Sequence, residues 1–213
     1  MKRYFFSLAI LLLLNFCYNS DIGDIIELPE PQREGGAPLY EAVNNRKSQR
    51  DFNNSIKVSA EIISQALWVC YGVREGKFRT VPSAKAWYSL LTYVFLEEGV
   101  FKYNPTGHNL IKLFNGDHRA LTGTQTSVVT NARINLVFIA NFRKKSAMDG
   151  DDAHKFRSIY LDSGHVTMAL SLYAAANNMK GVVRAMVEPD PLLEFLRLNK
   201  EDYIFTIAYS LGY

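Results

Sequence analysis

The pattern along this chain predicts an α+β fold, in which helices come first and a mixed sheet with inserted helices follows. Three observations carry that expectation. Helical spacing precedes any strand-like run. Residues 90–96, 100–103 and 110–114 then form three β-like runs, joined by Glu97-Glu98-Gly99 and Asn104-Pro105-Thr106-Gly107, the pattern of an antiparallel meander. Later strands at 134–140, 181–187 and 203–211 are separated by helices of unequal length, which argues against a regularly alternating parallel fold. With 213 residues, 48% of them hydrophobic, the chain can bury a core as one domain or at most two small ones.

Residues 1–20 read as a targeting segment. Lys2 and Arg3 give it a positive end, and residues 4–16 are apolar apart from Ser7 and Asn15. That run falls short of the roughly 20 residues a spanning helix needs, so a secretory signal cleaved after Ser20 is the expectation. Cys17 raises a lipoprotein alternative, against which the bulky Phe16 stands. Without Lys2 and Arg3 the net charge of +3 falls to +1, which does not suggest nucleic acid. Cys70 is then the single cysteine, and its apolar neighbours Ala66, Leu67 and Val69 point to a buried structural thiol.

Residues 21–36, with Pro29, Pro31, Gly35 and Gly36, read as an extended arm lying on a partner or on the domain surface. Pro38 starts a short helix with Leu39, Ala42 and Val43 on its inner face. Ser59 caps a helix over 60–71, where Ile62, Ile63, Ala66, Leu67 and Cys70 form one stripe and Gly72 stops it. Residues 79–86 form a loop around Pro82-Ser83-Ala84. A helix is expected over 117–132 with Gly123 as its weak point, and a strand buried on both faces over 134–140. Residues 144–152 are polar and read as a mobile segment. The longest helix spans 154–178, with Phe156, Ile159, Tyr160, Ser163, Thr167, Leu170 and Ala174 at helical spacing. Gly164, Ala169 and residues 174–176 would let another helix, from the same core or from a second copy, approach closely. A short helix is expected over 191–198.

The chemistry is narrowed by what is missing. The four histidines are scattered without ligand spacing, and neither a dinucleotide-binding nor a P-loop glycine motif is present. A Gly-x-Ser-x-Gly elbow is also lacking. What remains is the stretch Asn45-Arg46-Lys47-Ser48-Gln49-Arg50-Asp51-Phe52, with three cations and a hydroxyl within five positions. Guanidinium forks, a point charge and a hydroxyl suit a phosphate carried on a planar, hydrogen-bonding ring. An organic cofactor that carries the chemistry follows from that combination.

These residues resemble a known family. The stretch from Asn45 to Phe52 is similar to the Arg-Arg-Ser-x-Arg-x-Phe opening of the FMN-dependent nitroreductase superfamily. Leu67-Trp68-Val69-Cys70-Tyr71-Gly72-Val73 resembles its helix end, and Arg79-Thr80-Val81-Pro82-Ser83-Ala84 its Arg-Thr-x-Pro-Ser-Ala loop. The hairpin at 100–114, Asp162-Ser163-Gly164-His165 and the closing Ser210-Leu211-Gly212-Tyr213 resemble the branch that includes SagB-type dehydrogenases. The resemblance implies a three-layer α+β fold with a central mixed, largely antiparallel sheet, over a domain of residues 37–213. It also implies an intertwined homodimer holding FMN at its interface. Arg46, Lys47, Ser48 and Arg50 would meet the FMN phosphate, ribityl chain and pyrimidine edge. Pro82, Ser83 and Ala84 would reach the flavin from the other subunit. Gly181, Val182, Val183 and Arg184 would pass beside the ring system, with Arg184 available to help hold the phosphate. The implied activity is an extracytoplasmic oxidoreductase acting on a nitroaromatic, quinone-like or enone acceptor; the alternatives are a secreted, non-catalytic flavin-binding relative and, as in the SagB-type branch, a dehydrogenase of a peptide.

Overall fold

The computed structural model describes residues 21–76, 78–142 and 150–213. The expected signal segment at 1–20, Cys17 with it, and most of the polar segment at 144–152 lie outside the described residues. Among the described residues, seven strands form one sheet: β1 (Ile25–Glu27), β2 (Leu90–Leu96), β3 (Gly99–Asn104), β4 (Asn109–Asn115), β5 (Ile134–Asn141), β6 (Lys180–Arg184) and β7 (Tyr203–Gly212). Their order is β1-β4-β3-β2-β5-β7-β6, and every pairing is antiparallel. The sheet is therefore antiparallel throughout rather than mixed. Among the late strands, β5 and β6 run in the same direction, and β7 lies between them antiparallel to both.

Five α-helices accompany the sheet among the described residues: α1 (Leu39–Asn45), α2 (Ala60–Tyr71), α3 (Thr126–Asn131), α4 (Asp152–Ala176) and α5 (Pro189–Phe195). β5 shows why three layers form. Ile134, Leu136, Phe138 and Ala140 join the core beneath α2 and α4, while Val137 and Ile139 join the opposite core with Leu192, Leu193 and Leu196 of the α5 region. Successive side chains of a strand alternate faces, so an unbroken apolar run is what a strand covered on both sides requires.

α2 is set as its sequence indicates. The Ser59 hydroxyl accepts from Ile62 N–H at 3.4 Å, and Gly72 N–H closes the helix on Trp68 O at 2.8 Å. Cys70 is fully buried, its Sγ–H directed to Leu67 O at 3.4 Å, and burial pushes its thiol well up. α4 begins at Asp152, where Asp151 accepts from His154 N–H at 2.8 Å, and ends at Ala176.

Four expectations are corrected. The arm does not merely lie on the surface. Its residues 25–27 become edge strand β1, with Ile26 fully buried opposite Leu110. On α1 only Ala42 is buried, whereas Leu39 and Val43 are 64% and 51% exposed. The helix expected over 117–132 is split into a 3-10 turn (Arg119–Thr122) and α3, broken at Gly123, where a Cβ would collide with the Arg184 guanidinium. β6 stops at Arg184, short of 187, because the chain turns there and Met186 O accepts from Thr124 N–H at 3.0 Å. The helix beyond it correspondingly starts at Pro189.

Candidate functional site

α1 ends where the basic stretch begins. Arg46 leaves helical geometry at ψ 120°, its N–H bonded to Ala42 O at 3.0 Å, and the chain continues extended beside β6. Gln49 N–H donates to Gly181 O at 3.0 Å, and Lys180 Nζ donates to Asp51 Oδ2 at 2.9 Å. The Lys180 ammonium holds the exposed Asp51 carboxyl below its usual range. Phe52 is buried against Ala132 and Val182 and pins the far end. With Gln49 and Phe52 committed inward, Arg46, Lys47, Ser48 and Arg50 are left exposed. Among the described residues, no hydrogen bond or ion pair engages the side chains of those three cations.

β6 is an edge strand, so about half its backbone N–H and C=O groups face away from β7. A Cβ at Gly181 would run into the Tyr209 hydroxyl, so only glycine lets the edge lie this close to β7. Tyr209 is buried, which pushes its phenol up against the opposing effects of Ser171 and of the Arg46 charge. Val182 points into the core and Val183 is 40% exposed. A recess of about 150 Å³ lies between Arg50, Gln125 and residues 183–186. A cavity of about 570 Å³ lies elsewhere, between the arm, α2 and α4, and none of the site residues named from sequence lines it.

The Arg184 side chain does not face that recess as a free cation. Nε donates to Ser210 Oγ at 2.8 Å, and Nη2 to Thr122 Oγ1 at 3.2 Å and Asn135 Oδ1 at 3.1 Å. Nη1 donates to Thr122 O. Burial among neutral acceptors lowers its pKa to about 10. The sequence shows Arg184 as a cation on a strand and carries no signal for the side on which it points. The structure spends its side chain on joining β5, β7 and the 3-10 turn, leaving only its backbone at the edge.

The second loop is held differently. Ser83 Oγ donates to Asp162 Oδ2 at 2.6 Å and accepts from Tyr88 N–H at 3.1 Å, while Ala84 N–H donates to Asp162 Oδ1 at 3.0 Å. Asp162 comes from the buried face of α4 and is 4% exposed. Pro82 is exposed, and Ser83 and Ala84 are half-buried. Below the loop, the Arg79 guanidinium sits between the Tyr71 and Tyr88 rings, 5.0 and 5.2 Å from their centroids. The structure thus brings residues 46–50 and 181–184 together. Among the described residues, no hydrogen bond or ion pair joins either of them to Pro82, Ser83 or Ala84. Sequence reasoning gave Asp162 no role. Its signal was a carboxylate in step with Ile159 and Val166 on the buried face of a helix.

Comparison with known proteins covers the same ground. Residues 43–213 match the model of the nitroreductase family. A protein of Methanocaldococcus jannaschii described as a candidate nitroreductase is 29% identical over 189 residues, 84% of this chain and 93% of its own. The crystal structure of a candidate nitroreductase from Ralstonia eutropha superposes with a TM-score of 0.80 at 29% identity, over 88% of each chain. Another, from Desulfovibrio desulfuricans and in complex with FMN, superposes with a TM-score of 0.61 at 17% identity, over 84% of this chain and 87% of its own. The matched residues begin inside α1, just ahead of the basic stretch, and run through the edge strand and the clamped loop to Tyr213. By that match, this chain belongs to the nitroreductase family.

Proposed function

We propose that the protein is an FMN-dependent oxidoreductase that works outside the cytoplasm as a homodimer, passing electrons to a small conjugated acceptor. One observation carries the reading: Arg46, Lys47 and Arg50 stand exposed beside an edge strand with outward backbone groups, and among the described residues no side-chain hydrogen bond or ion pair engages them. Those residues fit the cofactor. Three cations and the Ser48 hydroxyl supply charge-assisted contacts for a phosphate, and the β6 edge supplies donors and acceptors for a flat heterocycle. A related fold with FMN bound adds support. Bound there, FMN supplies the hydride and electron chemistry, so no side-chain nucleophile or metal set is required.

The remaining work falls to the chain. Arg46 and Arg50 bind and orient, and a cation beside the pyrimidine edge favours the anionic reduced form. Asp162 holds the 82–84 loop in one conformation. Exposed Leu161 and Met168 on α4, with Gly164 open between them and Leu39, Tyr40 and Val43 exposed on α1, support a second copy packing on these helices. In that assembly the 82–84 loop of one subunit reaches the site of the other. The extracytoplasmic location rests on the apolar character of residues 4–16. The test is the absorption spectrum of the purified protein together with its mass in solution. Flavin bands near one per protomer on a dimer are expected. A colourless monomer that ignores added FMN overturns the reading.

A further inference from the structure

The cavity of about 570 Å³ is bounded by residues 32–37 of the arm and by three helices. Its apolar wall comes from Ala42 of α1, Trp68 and Val69 of α2, and Ala169, Leu172 and Ala176 of α4. Alanine at three of those positions leaves the space between the helices unfilled. The arm is tied down beside it. Gln32 N–H donates to Gln65 Oε1 at 2.7 Å and Gln65 Nε2 donates back to Gln32 O at 3.0 Å, an amide pair that fixes the arm to α2. Gly35 and Gly36 then follow at φ 82° and 88°, a bend that glycine takes without strain and that carries the chain on to α1.

The polar side chains around this space fall into two groups. Gln65, Trp68, Thr80, Tyr173 and Asn177 each spend a donor on a backbone carbonyl of the chain, respectively that of Gln32, Val73, Trp68, Ile62 and Tyr173. Arg33 and Arg74 do not. Both are exposed, and among the described residues no hydrogen bond or ion pair engages either guanidinium. Glu34 is the one carboxylate in the lining, so two positive charges stand against one negative.

We propose that this cavity binds an amphipathic carboxylate. Its apolar body lies against Trp68, Leu172 and the alanines, and its head group pairs with Arg33 and Arg74. The volume falls within the roughly 300–1,000 Å³ of small-molecule sites, which are mostly apolar with a few polar groups that fix orientation. Guanidinium forks match the two oxygens of a carboxylate. Residues 46–50 and 181–184 take no part, so the site stands independently of the flavin reading.

The test is calorimetric titration of the purified protein, in the presence of saturating FMN, with two acids and their neutral counterparts: decanoate against 1-decanol, and 2-naphthoate against 2-naphthamide. At least one acid should bind at one per protomer, roughly tenfold tighter than its neutral counterpart at low salt, the worth of one good charge-assisted contact. The tighter of the two acids shows whether a chain or a flat ring is the preferred body. Arg33→Gln with Arg74→Gln should raise the Kd of that acid roughly tenfold and leave its neutral counterpart unchanged. Glu34→Gln should instead tighten the acid, because a like charge is removed. Ala169→Trp should abolish binding of both forms by filling the space. Both arginines are exposed, so their replacement keeps the test decisive even where Ala169→Trp fails to fold. Absence of binding by either acid, an unchanged Kd in the double arginine variant, or binding that survives in folded Ala169→Trp overturns the proposal. No acid binding, together with a dimer that Ala169→Trp breaks, would overturn it in favour of a second copy filling the space.

Discussion

Residues 46–50 and the loop that follows Pro82 were both expected at the flavin site from the sequence, yet their polar groups are satisfied in opposite ways. In the first stretch the backbone is tied down, through Gln49 to Gly181 and through Phe52 in the core, while the charged side chains are left open. In the second the polar groups are turned inward, and Asp162 takes both the Ser83 hydroxyl and the Ala84 N–H. Arg184 sharpens the contrast, since it is a cation in the same neighbourhood whose donors go to Ser210, Thr122 and Asn135. Open charges are free to bind and cost little to remove from the folded chain. Closed networks hold a shape, and opening them exposes unsatisfied buried groups.

Four predictions test that contrast, from the largest effect to the smallest. Arg46→Ala with Arg50→Ala should weaken FMN binding by about 3–6 kcal/mol, each lost charge-assisted contact costing about 1.5–3, with Tm nearly unchanged. Equilibrium dialysis and calorimetry read the two quantities, and full retention of flavin would show the phosphate to be held elsewhere. Asp162→Ala should instead cost roughly 2–3 kcal/mol of folding stability, because Ala84 N–H and Ser83 Oγ–H lose a buried acceptor. Faster amide exchange confined to residues 83–88 should accompany it. A variant that shed flavin but kept its Tm would erase the distinction between the two loops. Raising the salt from about 0.05 to 0.5 M should weaken FMN binding to the exposed cations several-fold, since the Debye length shortens, and should leave the Asp162 clamp unaffected.

The smallest effect concerns the arm. His108 Nε2 lies 2.7 Å from Ser64 Oγ and 3.2 Å from Pro29 O, while Nδ1 lies 2.9 Å from Tyr103 OH. Ser64 Oγ already donates to Pro29 O, so the neutral ring with its proton on Nε2 satisfies all three groups. Burial lowers the His108 pKa below 6.5, against the raising effects of the Pro29 carbonyl and of Glu30 and Glu27. Folding therefore favours the neutral ring. The stability it contributes is fully present above pH 6.5 and is lost as the pH falls through the lowered folded value. Denaturation midpoints between pH 7 and pH 5 should fall in the unaltered protein, with a shallower slope in His108→Gln.

Much of this molecule was legible in the sequence because burial leaves a period. The stripe of α2 with its Ser59 cap, the apolar run of β5 and the helical spacing of α4 each report a local geometry and the side that must be covered. The cluster at 46–50 was legible because three cations so close together stay solvated unless a ligand meets them. Other features were not local properties at all. Leu39 and Val43 have the spacing of an inner face, but where that face points depends on what lies beyond it, and in the folded chain they are exposed. Gly123 looked like a flaw in a helix and is instead the gap through which Arg184 reaches Thr122. That Arg184 turns inward while Arg50 stays out, and that Asp162 closes on Ser83, follows from which strands and helices meet. Composition determined the elements and the sign of the site's charge. Only tertiary packing decided which charges were satisfied and which stayed free, because a charge's partners come from distant parts of the chain.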